Sequence, residues 1–175
     1  MKSTQKKSMK EKRSSSPESY YDTFESPIGT LYLIFTGKFL GEIDFKKPVD
    51  VARKGCVSHS IQKELREYFA LGKDVFTQKI DLSTGTAFER EVWLALKEVP
   101  FGETRTYKWL ADKVGKPKAS RAVGRALGKN PLPIVLPCHR IIESDGSLGG
   151  YSGGVDIKRR LLEKEYYIKL GKKAS

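Results

Sequence analysis

Cys138 and His139 stand side by side in Pro137-Cys138-His139-Arg140, at the end of the apolar run Ile134-Val135-Leu136. A thiol is a good nucleophile only as its thiolate, and an imidazole able to take the proton supplies that form. Side chains of neighbours in an extended segment point to opposite sides, so a bridging water is expected between the two rather than direct contact. A lone buried cysteine is ordinarily inert packing, so the reading depends on what else converges on this stretch. Glu165, a carboxylate far downstream, by itself reads as a solvated helix residue.

The other cysteine, Cys56, forms a C-x-x-H pair with His59. A structural zinc site needs four ligands, and the remaining Cys and His are already in the 138–139 pair, so no metal is expected. No cofactor is expected either. A disulfide between Cys56 and Cys138 would consume the nucleophile.

The chain has 175 residues and a net charge of +12, unevenly spread. Residues 1–13 carry a net +5 and residues 166–175 a net +3, while Arg105 to Lys129 holds eight basic residues against Asp112. A basic patch in one short segment of an otherwise slightly acidic body points to a polyanion, most plainly nucleic acid. No apolar run is long enough to span a membrane and the start lacks an apolar signal region, so a cytoplasmic location, or a nuclear one in a eukaryote, is expected.

The elements that must position these groups fall into two halves. Tyr20 to Phe24, Thr30 to Phe35 and Phe39 to Phe45, with turn signals at Ser26–Gly29 and Thr36–Lys38, predict an antiparallel meander. Ser60 to Leu71, closed by Gly72, predicts a helix with Ile61, Leu65, Tyr68 and Phe69 on one face, and Val75 to Ile80 a further strand. Thr86-Ala87-Phe88-Glu89 is a capping box opening a helix to about Val99, on which Trp93 reads as core rather than as a base-stacking platform. Thr106 to Val114 and Lys118 to Leu127 are two short helices joined by Gly115-Lys116-Pro117, which predicts a helix-turn-helix. The slim face of the second comprises Ala119, Ala122, Val123, Ala126 and Leu127, while Arg121 and Arg125 share another side. Ile134 to Leu136 reads as a short buried strand or extended segment, and Glu143 to Tyr151 as a Gly-rich loop able to admit a flat ligand or simply to connect. Asp156 to about Tyr167 predicts the last helix.

The fold class is therefore α+β: a small antiparallel-sheet N-terminal domain and a helical C-terminal domain containing a helix-turn-helix. The expected division is a disordered basic tail at 1–18, a scaffold domain at 19–82, a DNA-binding domain at 83–168 and a basic tail at 169–175.

Taken in order, Thr86-Ala87-Phe88…Val92-Trp93, Pro100-Phe101-Gly102-Glu103-Thr104…Thr106-Tyr107, Arg121-Ala122-Val123-Gly124, Asn130-Pro131, Pro137-Cys138-His139-Arg140 and Gly150-Tyr151-Ser152-Gly153-Gly154 resemble the O6-alkylguanine-DNA alkyltransferase family. The match is dense over about 84–165. The resemblance implies repair by single-use transfer of an alkyl group from O6-alkylguanine in double-stranded DNA to Cys138, with O4-alkylthymine as a second candidate substrate. It implies a monomer that binds through its helix-turn-helix, usually in the minor groove, and flips the base out, because the alkyl carbon is out of reach inside the stack. By the same resemblance His139 acts as base through a water, Glu165 orients it, Asn130 holds the loop and Tyr107 protonates the departing guanine. Tyr151, Ser152, Pro133 and backbone groups near Ile141 belong to the base pocket. Arg121 is the finger that fills the vacated stack, with Lys118, Ser120, Arg125 and Lys129 as further DNA contacts. The small face of Ala119, Ala122 and Ala126 suits a narrow groove. Departures are Ile141 where valine is common, Lys129 before Asn130, and the absence of the zinc ligands some members carry in the first half. The alternative, without the resemblance, is a non-catalytic helix-turn-helix DNA-binding protein with a structural thiol.

Overall fold

The computed structural model describes residues 19–53 and 60–173. The expectations about residues 1–18, Cys56 and His59 fall outside the described residues.

Alternation of apolar and polar residues builds the first half. In β2 (Gly29–Thr36), Leu31, Leu33 and Phe35 are buried while the residues between them are partly exposed, the period of a sheet with one covered face. It pairs antiparallel with β1 (Ser19–Ser26) and with β3 (Phe39–Asp44), as the meander predicted. A two-residue β4 (Ala52–Arg53) joins the free side of β1 in parallel, giving the order β3-β2-β1-β4. Helix α1 (Ser60–Leu71) buries Ile61, Leu65, Tyr68 and Phe69 as its spacing required, and Gly72 closes it at φ 60°, where a side chain would be strained.

Residues 75–80 do not form the expected strand. Only Ile80 bridges Leu40, and Val75 is exposed. The amides that a ladder would use are drawn elsewhere: the Thr77 N–H donates to the buried Glu64 carboxylate at 2.9 Å, and so does the Gln78 N–H at 3.4 Å.

The second half is helical. Helix α2 (Ala87–Ala95) begins with the predicted capping box, Glu89 N–H to Thr86 Oγ1 at 3.2 Å and Thr86 N–H to Glu89 Oε2 at 2.8 Å. It tightens into a 3-10 turn over Leu96–Glu98. Helices α3 (Tyr107–Lys113) and α4 (Ser120–Gly128) pack against each other and against α2, the helix-turn-helix. Helix α4 starts two residues later than expected, because Pro117 and Lys118 remain in the turn. Trp93 is core: its indole N–H donates to the Ala126 carbonyl at 2.7 Å. Strand β5 (Arg105–Thr106) pairs in parallel with β6 (Ile141–Ile142), tying the entry of α3 to the exit of the Cys138 turn. The last helix, α5 (Val155–Lys173), runs six residues beyond the expected end.

The halves share one core, and several contacts join them around Cys138. Ile43 N–H donates to the Pro131 carbonyl at 2.8 Å. Phe45 packs on Tyr151 with ring centres 6.2 Å apart. Tyr68 reaches Glu165 at 2.6 Å.

Candidate active site

Residues 134–136 are not the extended segment that Pro133 and Pro137 suggested. Leu136 N–H bonds back to the Leu132 carbonyl and Cys138 N–H to the Leu136 carbonyl, each at 2.8 Å, and Cys138–Arg140 make a single 3-10 turn. Ile134 lies at φ 77°, a rare conformation for a β-branched residue. The segment is nonetheless buried throughout, so burial was legible and shape was not. Asn130 holds the curl: its Oδ1 accepts the Leu132 N–H at 3.0 Å, and its amide nitrogen donates to the Leu136 carbonyl at 2.8 Å and to Cys138 Sγ at 3.0 Å.

Cys138 forms the floor of a cleft of about 490 Å³, walled by Ser120 and Arg121 of α4, Tyr107 at the start of α3, and Tyr151 and Ser152 of the Gly-rich loop. Burial pushes the thiol up from its ordinary value, opposed by the Asn130 hydrogen bond and the Lys158 charge. The resting sulfur is therefore a protonated thiol that needs a base. Tyr107 is half-buried, and burial, with Glu143 and Cys138 nearby, raises its phenol, which stays a proton donor at neutral pH. Among the described residues the Tyr151 hydroxyl makes no hydrogen bond of normal geometry, yet it is close enough to Cys138 that, after burial, the thiol is the chief influence raising it.

His139 is fully buried on the other side of the turn and makes no hydrogen bond to Cys138 among the described residues. Its Nε2 lies 2.8 Å from Glu165 Oε1. Burial would push the Glu165 carboxyl up, but hydrogen bonds and charge from His139 and Arg140 outweigh it and hold the group at about 2. Glu165 is thus an anion that only accepts, so Nε2 must carry the hydrogen and Nδ1 of the neutral ring is left as the acceptor. Nδ1 is buried with no hydrogen-bond partner among the described residues. Burial, with Arg140 and Lys158 helping, lowers His139 below its ordinary value despite Glu165, so the imidazole rests neutral.

Three contributors were missed in the sequence. Arg140 is buried, its guanidinium on both oxygens of Glu165 at 2.9–3.1 Å, on Asp74 at 3.0 Å and on the Val99 carbonyl at 2.7 Å. Lys158 is fully buried with its ammonium on the carbonyls of Ile141 (2.6 Å), Leu148 and Gly150 (3.4 Å), pinning the Gly-rich loop. Helical spacing could have found it, since 158, 161 and 165 form one stripe and Leu161 and Glu165 are both buried. Tyr68 was read as apolar packing, and its hydroxyl had no signal.

The remaining expected residues divide. Arg121 and Arg125 are exposed on α4, but Arg121 alone of the two lines the cleft. Lys118 is exposed just before the helix, and Lys129 just after it pairs with Glu89 at 2.7 Å. Pro133 borders a neighbouring depression with Asn130 and Ser152 rather than the Cys138 cleft. The Ile141 side chain is fully buried, so only its backbone can face a ligand. Ala126 does not belong to a groove-facing surface: it is buried with Val123 and Leu127 against α2. Among the described residues no cluster of three or more His, Cys, Asp or Glu is placed to hold a metal.

Comparison with known proteins agrees with this geometry. Residues 87–167 match the family model described as 6-O-methylguanine DNA methyltransferase, DNA binding domain. A methylated-DNA--protein-cysteine methyltransferase of Methanosarcina barkeri is 44% identical over 153 residues, covering 83% of this chain and 96% of that protein. One of Mycobacterium bovis is 42% identical, covering 83% and 92%. The structure of Mycobacterium tuberculosis OGT in complex with DNA superposes with a TM-score of 0.79 at 40% identity, covering 85% of this chain and 94% of that one.

Proposed function

The chain belongs to the methylated-DNA--protein-cysteine methyltransferase family, whose work is DNA repair by alkyl transfer to a cysteine, and on that premise we propose that Cys138 takes the alkyl group from O6-alkylguanine flipped out of duplex DNA. The observation that carries this is the buried thiol on the floor of a cleft that opens beside Arg121 of the helix-turn-helix.

The residues can complete the transfer. A water between Cys138 Sγ and His139 Nδ1 passes the thiol proton to the imidazole, which becomes a cation against Glu165. The thiolate attacks the alkyl carbon, a carbon–sulfur bond forms, and the carbon–O6 bond breaks with its electron pair remaining on the guanine. Tyr107 donates its proton to that base, which would otherwise leave as an anion. His139 then holds the thiol proton, which returns to the phenolate through solvent. The Asn130 amide, already on the sulfur, and the nearby Lys158 charge favour the thiolate over the thiol as it forms. The thioether is stable to water, so each molecule acts once.

Arg121 and Arg125, with Ser120 and Lys118, supply the DNA face, and Arg121 at the mouth of the cleft is suited to fill the space the guanine leaves. Minor-groove docking, action as a monomer in the cytoplasm or nucleus, and the division into scaffold and DNA-binding halves near residue 82 belong to the same reading. A plain DNA-binding regulator is disfavoured by the family and leaves the His139–Glu165 pair beneath the thiol without a purpose.

The test is to mix the protein with excess duplex containing O6-methylguanine and weigh it intact. One added methyl group, mapped to Cys138 and absent from Cys138→Ser, is the expected result. Folded protein without an adduct would overturn the proposal.

A further inference from the structure

The transfer described above makes no use of Tyr68, which lies on α1 in the N-terminal half. Its ring is buried, packed edge-on against Phe69 and Phe101. Its hydroxyl points away from them and donates to Glu165 Oε1 at 2.6 Å, the same oxygen that accepts from His139 Nε2 at 2.8 Å. The phenol oxygen is also 3.5 Å from that nitrogen. Among the described residues, the other hydrogen bonds to Glu165 come from the C-terminal half, from Gly102, His139 and Arg140.

We propose that Tyr68 is a positioning residue that tunes the His139–Glu165 pair from the N-terminal half by crowding Glu165 Oε1. The proposal rests on the proton relay assigned to that pair. Each donor on a carboxylate oxygen draws charge from it and weakens what it offers to the next donor. With Tyr68, Arg140 and His139 on one oxygen, the anion orients the imidazole without holding an imidazolium too well. An overly strong anion would leave His139 protonated at rest and unable to take the Cys138 proton. The groups facing His139 divide accordingly: Glu165 favours its charged form, while Arg140 on the same turn and Lys158 on α5 oppose it. Tyr68 on α1 acts through Glu165, and Cys138 is the proton's source. A short hydrogen bond to a buried ionised group is strong enough to matter to this balance.

Tyr68→Phe keeps the ring and removes only the donor. His139 is titrated by ring 15N and 13C resonances in free wild type and variant, and single-turnover transfer from an O6-methylguanine duplex is followed from pH 5 to 9. The expected result is a His139 titration midpoint moved to higher pH in Tyr68→Phe. Transfer should be about three- to tenfold slower at pH 5–6 and close to wild type at pH 8–9, as follows when more of the base is already protonated. An unmoved His139 titration, or an equal loss of rate at every pH, would overturn the proposal and leave Tyr68 as packing. A His139 midpoint moved in Tyr68→Phe, with a wild type that forms no adduct, would instead support the tuning and sink the alkyl-transfer assignment. Tyr68→Leu separates the packing contribution: it should lower stability further and move the His139 midpoint no more than Tyr68→Phe does.

Discussion

Replacing Arg140 with methionine tests the buried charge network directly. Arg140 and Glu165 are each only 1% exposed, and the guanidinium makes five hydrogen bonds, three to Glu165, one to Asp74 and one to the Val99 carbonyl. Arg140→Met fills much of the same volume but strands the Glu165 anion. Breaking a buried pair by removing one partner costs about 3–5 kcal/mol. A second route gives the same order: Glu165 is held at about 2 against an ordinary 4.5, a difference worth about 3 kcal/mol. His139 and Arg140 share that stabilisation: near pH 7 the neutral His139 keeps its hydrogen bond but not its charge, so Arg140 supplies the cationic part there. The variant should therefore unfold about 3–5 kcal/mol more easily in urea and melt about 8–15 °C lower in a chain of this size. Arg140→Met combined with Glu165→Gln removes both charges and should recover at least about 2 kcal/mol of the sum of the single losses. A single-variant loss below about 1 kcal/mol, or strict additivity of the two substitutions, would refute the reasoning.

Two further outcomes follow from the same geometry. Glu165 is lowered by folding, so its stabilisation is full above about pH 4.5 and lost as pH falls toward about 2; His139 is also lowered, so the unfolded chain takes up a proton below pH 6.5 that the folded one refuses. Both signs agree, and urea unfolding should show stability falling from about pH 6.5 and more steeply below about 4.5; a flat profile from about pH 7.5 to 4.5 would contradict the His139 assignment, and one that stays flat to about pH 2.5 would contradict both. Arg121→Ala should slow transfer from duplex about tenfold or more, in line with the loss of a few kcal/mol of unstacking support, while leaving reaction with a free O6-alkylguanine base unchanged; equal losses on both substrates would remove the finger role.

Local chemistry was legible in the residues themselves. The capping box needs groups only three positions apart, and the α1 face, the meander and the helix-turn-helix follow from periods of two and 3.6, so their interactions lie within a few residues of chain. The thiol, the imidazole beside it and the basic helix preceding them could be picked out for the same reason. Boundaries and curvature were less legible: residues 75–80 lost their strand to a carboxylate on α1, and 130–138 curled around Asn130, because in both places a buried side chain outcompeted the backbone for its own hydrogen bonds. What holds the His139 imidazole and the cleft in place was invisible, since it joins distant segments: Tyr68 meets Glu165 across 97 positions, Arg140 meets Asp74 across 66, and Lys158 closes over carbonyls on two separate stretches. Cys138 could be singled out as the candidate nucleophile from the sequence and the resemblance it carries. That it rests as a protonated thiol, served by a neutral His139 whose free nitrogen is fixed by a crowded Glu165, depends on burial and on donors that only the folded chain brings to one oxygen.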